Sequence, residues 1–250
     1  RPPRSTLFPY TTLFRSCEIY SDVAGIYTCD PKVHEKARKL EYITYDEMLE
    51  LAALGAKVLH SRSVEIAKKY NVELICLSSF SEEGGTRVVA KLPEWLEQPV
   101  VTGATIDTNQ LKVTVNYLPG DTDILSRIFN AVAKASFNVD MISVVNENGN
   151  SHLTFTVLSA NPSAIRRTIE GVLKDVDGWE LTLDDNVAKV STVGVGMRSS
   201  AGVAARFFSS LQRAGVRIIS TTTSEIKISV LVSRTDASKA LRVLLDEFDL

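Results

Sequence analysis

Several things are scarce in this 250-residue sequence, and each scarcity removes a class of protein. No apolar run approaches the ~18–20 residues that crossing a bilayer takes, so no membrane-spanning helix is expected. Positive charge is not in excess: 28 Lys and Arg stand against 30 Asp and Glu. A net charge of −2 gives no electrostatic reason to expect nucleic acid or a membrane surface as partner. Cysteine is rare, and Cys17, Cys29 and Cys76 lack the close pairing of a zinc site. An odd, small number of thiols reads as free, buried or half-buried cysteine in a reducing compartment, which predicts a cytoplasmic protein without a metal site. What remains is 44% hydrophobic and 23% charged, ordinary for a globular chain with room for one large domain or two to three small ones.

The opening RPPRSTLFPYTTLFRS carries no helical or strand period, and Pro9 and basic residues break up its apolar residues. No signal-peptide core forms. Residues 1–16 are therefore expected to be a non-native or disordered leader, outside the fold. From Cys17 the patterning is regular. Cys17–Tyr20 reads as a strand. Thr44 and Glu47 stand three apart as a capping box for a helix presenting Met48, Leu51, Ala52 and Gly55 on one face. A second helix runs from Ser61 through Val64, Ile66 and Ala67 to Tyr70, with Asn71 suited to a left-handed C-terminal position. Residues 72–77, VELICL, form a strand by their β-branched, apolar content. This order predicts an α/β domain over 17–92, too small to cover both faces of a parallel sheet by itself.

Pro93 and Pro99 mark a linker at 93–99. Beyond it the chain repeats: Arg127-Ile128-Phe129 returns as Arg206-Phe207-Phe208 and Val139 as Ile218, each 79 residues on. The first copy predicts strand 111–118, a helix from Asp123 with Ile124, Ile128, Phe129 and Val132 on one face, and strands 139–146 and 151–158 around an Asn148-Gly149 turn. A helix opened by Asn161-Pro162, burying Ile165, Ile169 and Leu173, and strand 178–185 complete a ferredoxin-like βαββαβ unit. The second copy predicts strand 188–195, a helix from Ser199 or Ser200 burying Val203, Phe207 and Leu211, strands at IISTTT (218–223) and 224–232, and a helix from about Asp236. It lacks a fourth strand. Residues 100–106 are the spare strand that would complete it, making 107–186 an insertion within a unit built from 100–106 and 187–250.

Three strings, EIYSDVAGIYTCDPK, ITYDEMLELAALGAKVLHSRSVEIAKKYNVEL and SSFSEEGGTRV, resemble the aspartate kinases of the amino-acid kinase family. NVDMI, VAKVSTVGVGMRSSAGVAARFF and TSEIKISVLV resemble that family's tandem ACT domains. The resemblance implies a C-terminal portion of an α/β kinase domain followed by two ACT domains. It implies transfer of the terminal phosphoryl of ATP, with Mg2+, to the side chain of L-aspartate. By correspondence, Ser21, Asp22, Tyr27, Lys32, Lys57 and Val58 would contact nucleotide. Lysine or threonine, as feedback effectors, would meet the loop at 120–125 with Asn138, Val139 and Asp140, and Val203, Ala204, Arg217, Ile218 and Ser224 from the second copy. Homo-oligomers through the ACT domains are also implied. The plain reading of Asp140 is a surface acid after a strand start.

The sequence departs from the family pattern in places. Gly120-Asp121-Thr122-Asp123 stands where the family has Asp-x-Pro-Gly, Val144-Val145 where it has Gln-Asn, Arg217 where it has Asn, and Ser61 where it has Pro. The family's Lys-Phe-Gly-Gly strand and glycine-rich phosphate cradle have no counterpart here, so this sequence alone is expected to be catalytically inactive. Two alternatives stay open. One is a non-catalytic amino-acid-binding regulatory subunit; the other is an unrelated sensor using the same small fold, for which no helix-turn-helix or other enzyme motif is visible.

Overall fold

The computed structural model describes residues 15–56, 58–82, 84–97, 99–120, 122–158 and 161–250. The first part holds β1 (Ser16–Ser21), β2 (Tyr42–Thr44), α1 (Tyr45–Ala53), α2 (Ser61–Tyr70), β3 (Glu73–Ser78) and β4 (Thr86–Val89). Its four-stranded sheet runs β1-β3-β4-β2. β1 is parallel to β3, β4 antiparallel to β3, and β2 parallel to β4. Alternate residues of β3, Leu74, Cys76 and Ser78, are buried. The helices pack Met48, Leu51, Val64 and Ala67 into the same cluster as Ile43 and Val88.

Local signals explain these boundaries. The Thr44–Glu47 capping box forms in both directions and starts α1. Asn71, at φ 51°, closes α2 in the left-handed conformation. Three expectations need correction. Gly55 lies beyond the end of α1, Ile66 faces outward at 50% exposure, and Cys17 is an exposed thiol where a buried or half-buried one was expected. The proposed leader also ends too late. Ser16 already belongs to β1, where it pairs with Glu73, because the parallel pairing extends one residue further than the apolar pattern does. Arg15 leads into the strand, its carbonyl accepting the Glu73 amide at 3.1 Å, and residues 1–14 lie outside the described residues.

The second part holds β5 (Gly103–Pro119), α3 (Thr122–Lys134), β6 (Val139–Glu147), β7 (Asn150–Leu158), α4 (Pro162–Val172), β8 (Glu180–Val193), α5 (Val203–Arg213), β9 (Ile218–Thr223), β10 (Lys227–Ser233) and α6 (Ala237–Phe248). Where two sheets of four were expected, there is one sheet of six, ordered β6-β7-β5-β8-β10-β9. Residues 103–106 and 111–118 are both in β5, and 180–185 and 187–193 are both in β8. Gly103–Ile106 pair with Val190–Val193, and Lys112–Asn116 with Glu180–Asp184. The register shifts between Asp107 and Gln110, and again before Lys112, mark where the long strands pass from one helical layer to the other.

Each half of this sheet carries its own core. Val113, Val115, Phe155 and Val157 pack under α3 and α4, through Ile128, Ile165 and Ile169. Ala188, Val190, Val230 and Val232 pack under α5 and α6, through Phe207, Leu211, Ala240 and Leu244. Burying a side chain such as Phe207 completely stabilises by about 1.5–3 kcal/mol. The sequence repeat has a structural counterpart. Arg127 of α3 donates to the Val172 carbonyl at the end of α4 and to Asp175, and Arg206 of α5 donates to the Glu247 carbonyl and carboxylate at the end of α6. Each pairs a cation with a helix C-terminus.

The helix expected from Ser199 or Ser200 begins instead at Val203, after a short 3-10 turn at Val195–Arg198. Gly202, at φ 85°, has a left-handed backbone that no continuous helix passes through. Likewise β10 starts at Lys227 rather than 224, and Ser224–Ile226 form the turn before it. Among the described residues no helix is long and apolar enough to cross a membrane.

Candidate functional site

Of the residues expected to contact nucleotide, Ser21 closes β1 and Asp22 follows it at the strand's carboxyl end. There the parallel neighbour β3 also ends, and Ser79 donates its amide to the Ser21 carbonyl at 2.8 Å. Crevices at the carboxyl ends of parallel strands are where open α/β sheets bind ligands. The Ser21 hydroxyl turns back on its own chain, donating to the Val23 carbonyl at 3.2 Å. Asp22 is exposed.

Tyr27 forms an isolated bridge with Lys39, and the exposed Lys32 donates its amide to Asp30 Oδ1 at 2.9 Å. Val58 packs against the apolar core beneath α1 and α2. Lys57 lies outside the described residues. The structure thus places Ser21 and Asp22 at one strand end with Tyr27 and Lys32 in the loop that follows, and Val58 in the core.

That loop is held by a residue the sequence did not single out. Thr86, fully buried on β4, receives the Ile26 amide at 2.8 Å and donates to the Leu40 carbonyl at 2.6 Å. Gly25, at φ 145°, permits the approach, since a Cβ there would lie 2.5 Å from Thr86 Oγ1. The nearby Cys29 thiol is pushed up to about 11 by burial, with the Asp30 carboxylate adding to the shift, and burial does the same to Cys76.

The expected effector contacts do not meet in one place. Asn138 precedes β6 and Val139 opens it, on the free edge of the sheet. Asp140 ion-pairs with Lys189 of β8, whose side chain is 4% exposed. Val203 is buried in the core beneath α5, while Ala204 and Arg217 are exposed and Ile218 opens β9 half-buried. Ser224 lines an open cleft of about 650 Å3 with Arg198 and Glu225, facing Asp46, Glu50 and Lys68 of α1 and α2. Asp121, in the altered loop, lies outside the described residues.

The junction between the two parts is built around Glu47, which is 1% exposed. Its Oε2 accepts the Thr44 amide at 3.0 Å and the Thr44 hydroxyl at 2.7 Å. Its Oε1 accepts the Thr102 hydroxyl at 2.5 Å and the Val195 amide at 3.0 Å. One carboxylate therefore caps α1 and binds Thr102, just before β5, and Val195, just after β8. Beside it, Lys227 pairs with Glu50 at 2.8 Å and Arg198 with Glu225 at 3.0 Å. This arrangement can transmit a shift of β8, β10 or the 195–203 segment to α1, because the carboxylate has no spare partner to exchange. The capping box was visible in the sequence, but the partners 55 and 148 residues away were not.

Comparison with known proteins follows the same division. Residues 14–78 match the amino acid kinase family and residues 190–248 match the ACT domain. The aspartokinase of Helicobacter pylori strain 26695 is 43% identical over 232 residues, which is 91% of this chain and 57% of that protein. The chain thus spans little more than half the length of the curated relatives it matches. The ligand-free regulatory subunit of aspartate kinase from Thermus thermophilus is 31% identical with a TM-score of 0.56, and the match covers 60% of this chain and 99% of that one. The aspartate kinase of Clostridium acetobutylicum shares the fold at a TM-score of 0.81 with 22% identity, over 92% of this chain and 54% of its own.

Proposed function

From the premise that this chain belongs to the aspartate kinase family, we propose that it supplies part of the catalytic domain and the effector-sensing region of a cytoplasmic enzyme. The reaction is phosphorylation of L-aspartate by ATP to 4-phospho-L-aspartate, restrained by lysine, threonine or both. The supporting observation is the Glu47 junction, which ties a kinase-derived helix to the second sensing unit through buried hydrogen bonds. A coupling of that kind is what feedback control requires, since an effector acts only through a difference in affinity between two arrangements of the protein.

The domain division follows as 17–92 for the kinase portion, a 93–99 linker, 107–186 for the inserted first ACT unit, and 100–106 with 187–250 for the second. ATP brings the phosphoryl group to be transferred, as its Mg2+ complex. The exposed acid of Asp22 and the hydroxyl of Ser21, at the open end of β1, fit part of such a ligand. By the family resemblance, Tyr27, Lys32, Lys57 and Val58 complete this chain's share of the contacts. The sensing residues are Asn138, Val139 and Asp140 in the first unit and Val203, Ala204, Arg217, Ile218 and Ser224 in the second. A second copy of the chain completes each site.

Because the family's catalytic lysine and glycine-rich cradle are not in this sequence, the 250-residue chain alone is inactive. Incubated with ATP, magnesium and aspartate, it should form no aspartyl phosphate above a protein-free control, and turnover would refute this. Titration calorimetry with L-lysine and L-threonine tests the sensing role, and silence with both at millimolar concentration would leave the ACT units with assembly alone. The near-complete coverage of a free regulatory subunit favours a second reading, that the sensing region acts without catalysis of its own. Adding the chain to an active family kinase would separate them, since only a regulatory subunit should confer effector inhibition in trans.

A further inference from the structure

We propose that Lys189 is a built-in competitor for the effector seat at Asp140: its ammonium holds the carboxylate that a free amino acid's ammonium would take. Binding at the first sensing unit then requires β6 to part from β8. The inference rests on the reading of Asp140 as an effector contact and adds to it what occupies that acid beforehand.

The contact is not one that sheet order would give. β6 and β8 are separated by β7 and β5, so three strand spacings, about 14 Å, lie between them in a flat sheet. The β5–β8 ladder shifts register between Asp107 and Gln110, an irregularity of the kind that bends a strand. The start of β6 then lies near the face of β8 turned away from α5 and α6. Met141 is 4% exposed there, in a small cluster with Val187 and Leu231, and Leu231 is the residue directly opposite Lys189 on β10. A register shift between Val139 and Ile142 leaves Asp140 and Met141 out of the regular ladder. The Met141 amide donates to the buried Thr156 hydroxyl at 3.2 Å, which fixes the irregularity.

Two features make the pair exchangeable from the acid's side. The Asp140 side chain is 31% exposed while that of Lys189 is 4%, so solvent and solutes reach the carboxylate but not the ammonium. The other acid facing Lys189 across the ladder is Asp107. Both its oxygens are engaged locally, by the Asn109 amide at 2.9 Å and the Gln110 side-chain amide at 2.7 Å. A buried ammonium left without its counter-charge is strongly unfavourable. An incoming amino acid can therefore take Asp140 only if Lys189 is released toward water, and that happens only when the Met141 contact opens. The effector's affinity is lowered by the fraction of molecules in the closed state.

The test is calorimetry of L-lysine and L-threonine on the 250-residue chain and on its Lys189→Met and Asp140→Asn variants. Lys189→Met keeps the buried stem and deletes the charge, and is expected to bind the same amino acid about tenfold tighter or more. Asp140→Asn is expected to abolish that binding, alone and combined with Lys189→Met. If Lys189→Met binds equally or more weakly while Asp140→Asn still abolishes binding, the competition is overturned and Asp140 remains an effector contact. If Asp140→Asn changes nothing, the reading of Asp140 fails and takes the inference with it. No heat in either the parent chain or Lys189→Met also overturns it. Should Lys189→Met not fold, amide exchange on the unaltered chain asks the same question. Added amino acid should speed exchange at Met141, and unchanged or slower exchange there counts against the proposal.

Discussion

Replacing Glu47 by alanine should cost the protein about 3–7 kcal/mol, more than any other single carboxylate considered above. The side chain is 1% exposed and accepts four hydrogen bonds. Alanine removes the reciprocal half of the α1 capping box, which is worth about 1 kcal/mol by analogy with other lost caps. It also strands the Val195 amide and the Thr102 hydroxyl inside the junction, at about 1–3 kcal/mol for each unsatisfied group. The partners belong to both parts of the chain, so the loss should fall on their docking more than on either fold.

Urea unfolding followed by circular dichroism is the suitable assay, because the parent should unfold with the parts coupled and Glu47→Ala with two separated transitions. Glu50→Ala is the control. Its partner Lys227 is 21% exposed and Glu50 28%, so that partly solvated pair should contribute no more than about 1 kcal/mol. A Glu47→Ala chain within about 1 kcal/mol of the parent, with a single unchanged transition, would refute the assignment of Glu47 as the junction's anchor.

Gly25→Ala should destabilise the kinase-derived part by about 1–3 kcal/mol, since it combines an unfavourable φ of 145° with a Cβ 2.5 Å from Thr86 Oγ1; an unchanged melting temperature would contradict this. Acid should weaken both ferredoxin-like units in parallel. Hydrogen bonding to Arg127 lowers the pKa of Asp175, and hydrogen bonding to Arg206 lowers that of Glu247. Groups depressed in the folded state contribute stability above their unfolded pKa values and lose it as pH falls through the folded ones. Melting temperature should therefore fall below about pH 4, and Arg206→Met should flatten part of that fall. An identical pH profile for parent and variant would dissociate the Arg206–Glu247 contact from acid stability.

Much of this architecture was legible because its signals are local. Thr44 and Glu47 announce a helix start three residues apart, Asn71 its partner's end, and Asn148-Gly149, both with positive φ, a hairpin. The inward faces of α3 and α4 followed from spacing alone, with Ile124, Ile128, Ile165 and Ile169 all buried. Sequence patterning misread the continuity of β5. Separate strands were expected at 100–106 and 111–118, yet β8 pairs with Gly103–Asp107 and again from Gln110, so one strand runs through both. Ser199-Ser200 offered a plausible cap, but the backbone at Gly202 decided where α5 begins. Lys189 left one faint trace, a single charge in an otherwise apolar and small-residue run, without indicating that its partner would be Asp140, 49 residues away. Contacts of that separation have no periodic signature.

The continuity of β5 and β8 has a consequence for how such a protein can change over generations. The two ACT units repeat one pattern 79 residues apart, yet they have no seam at which one could be exchanged, trimmed or lost alone. Each contributes half of two shared strands, and a one-residue insertion or deletion near the joint would turn every downstream side chain of that strand to the opposite face. A change of register in one unit must carry its neighbour along, so insertions and deletions are expected in turns and at the sheet's outer edges, not at the joint.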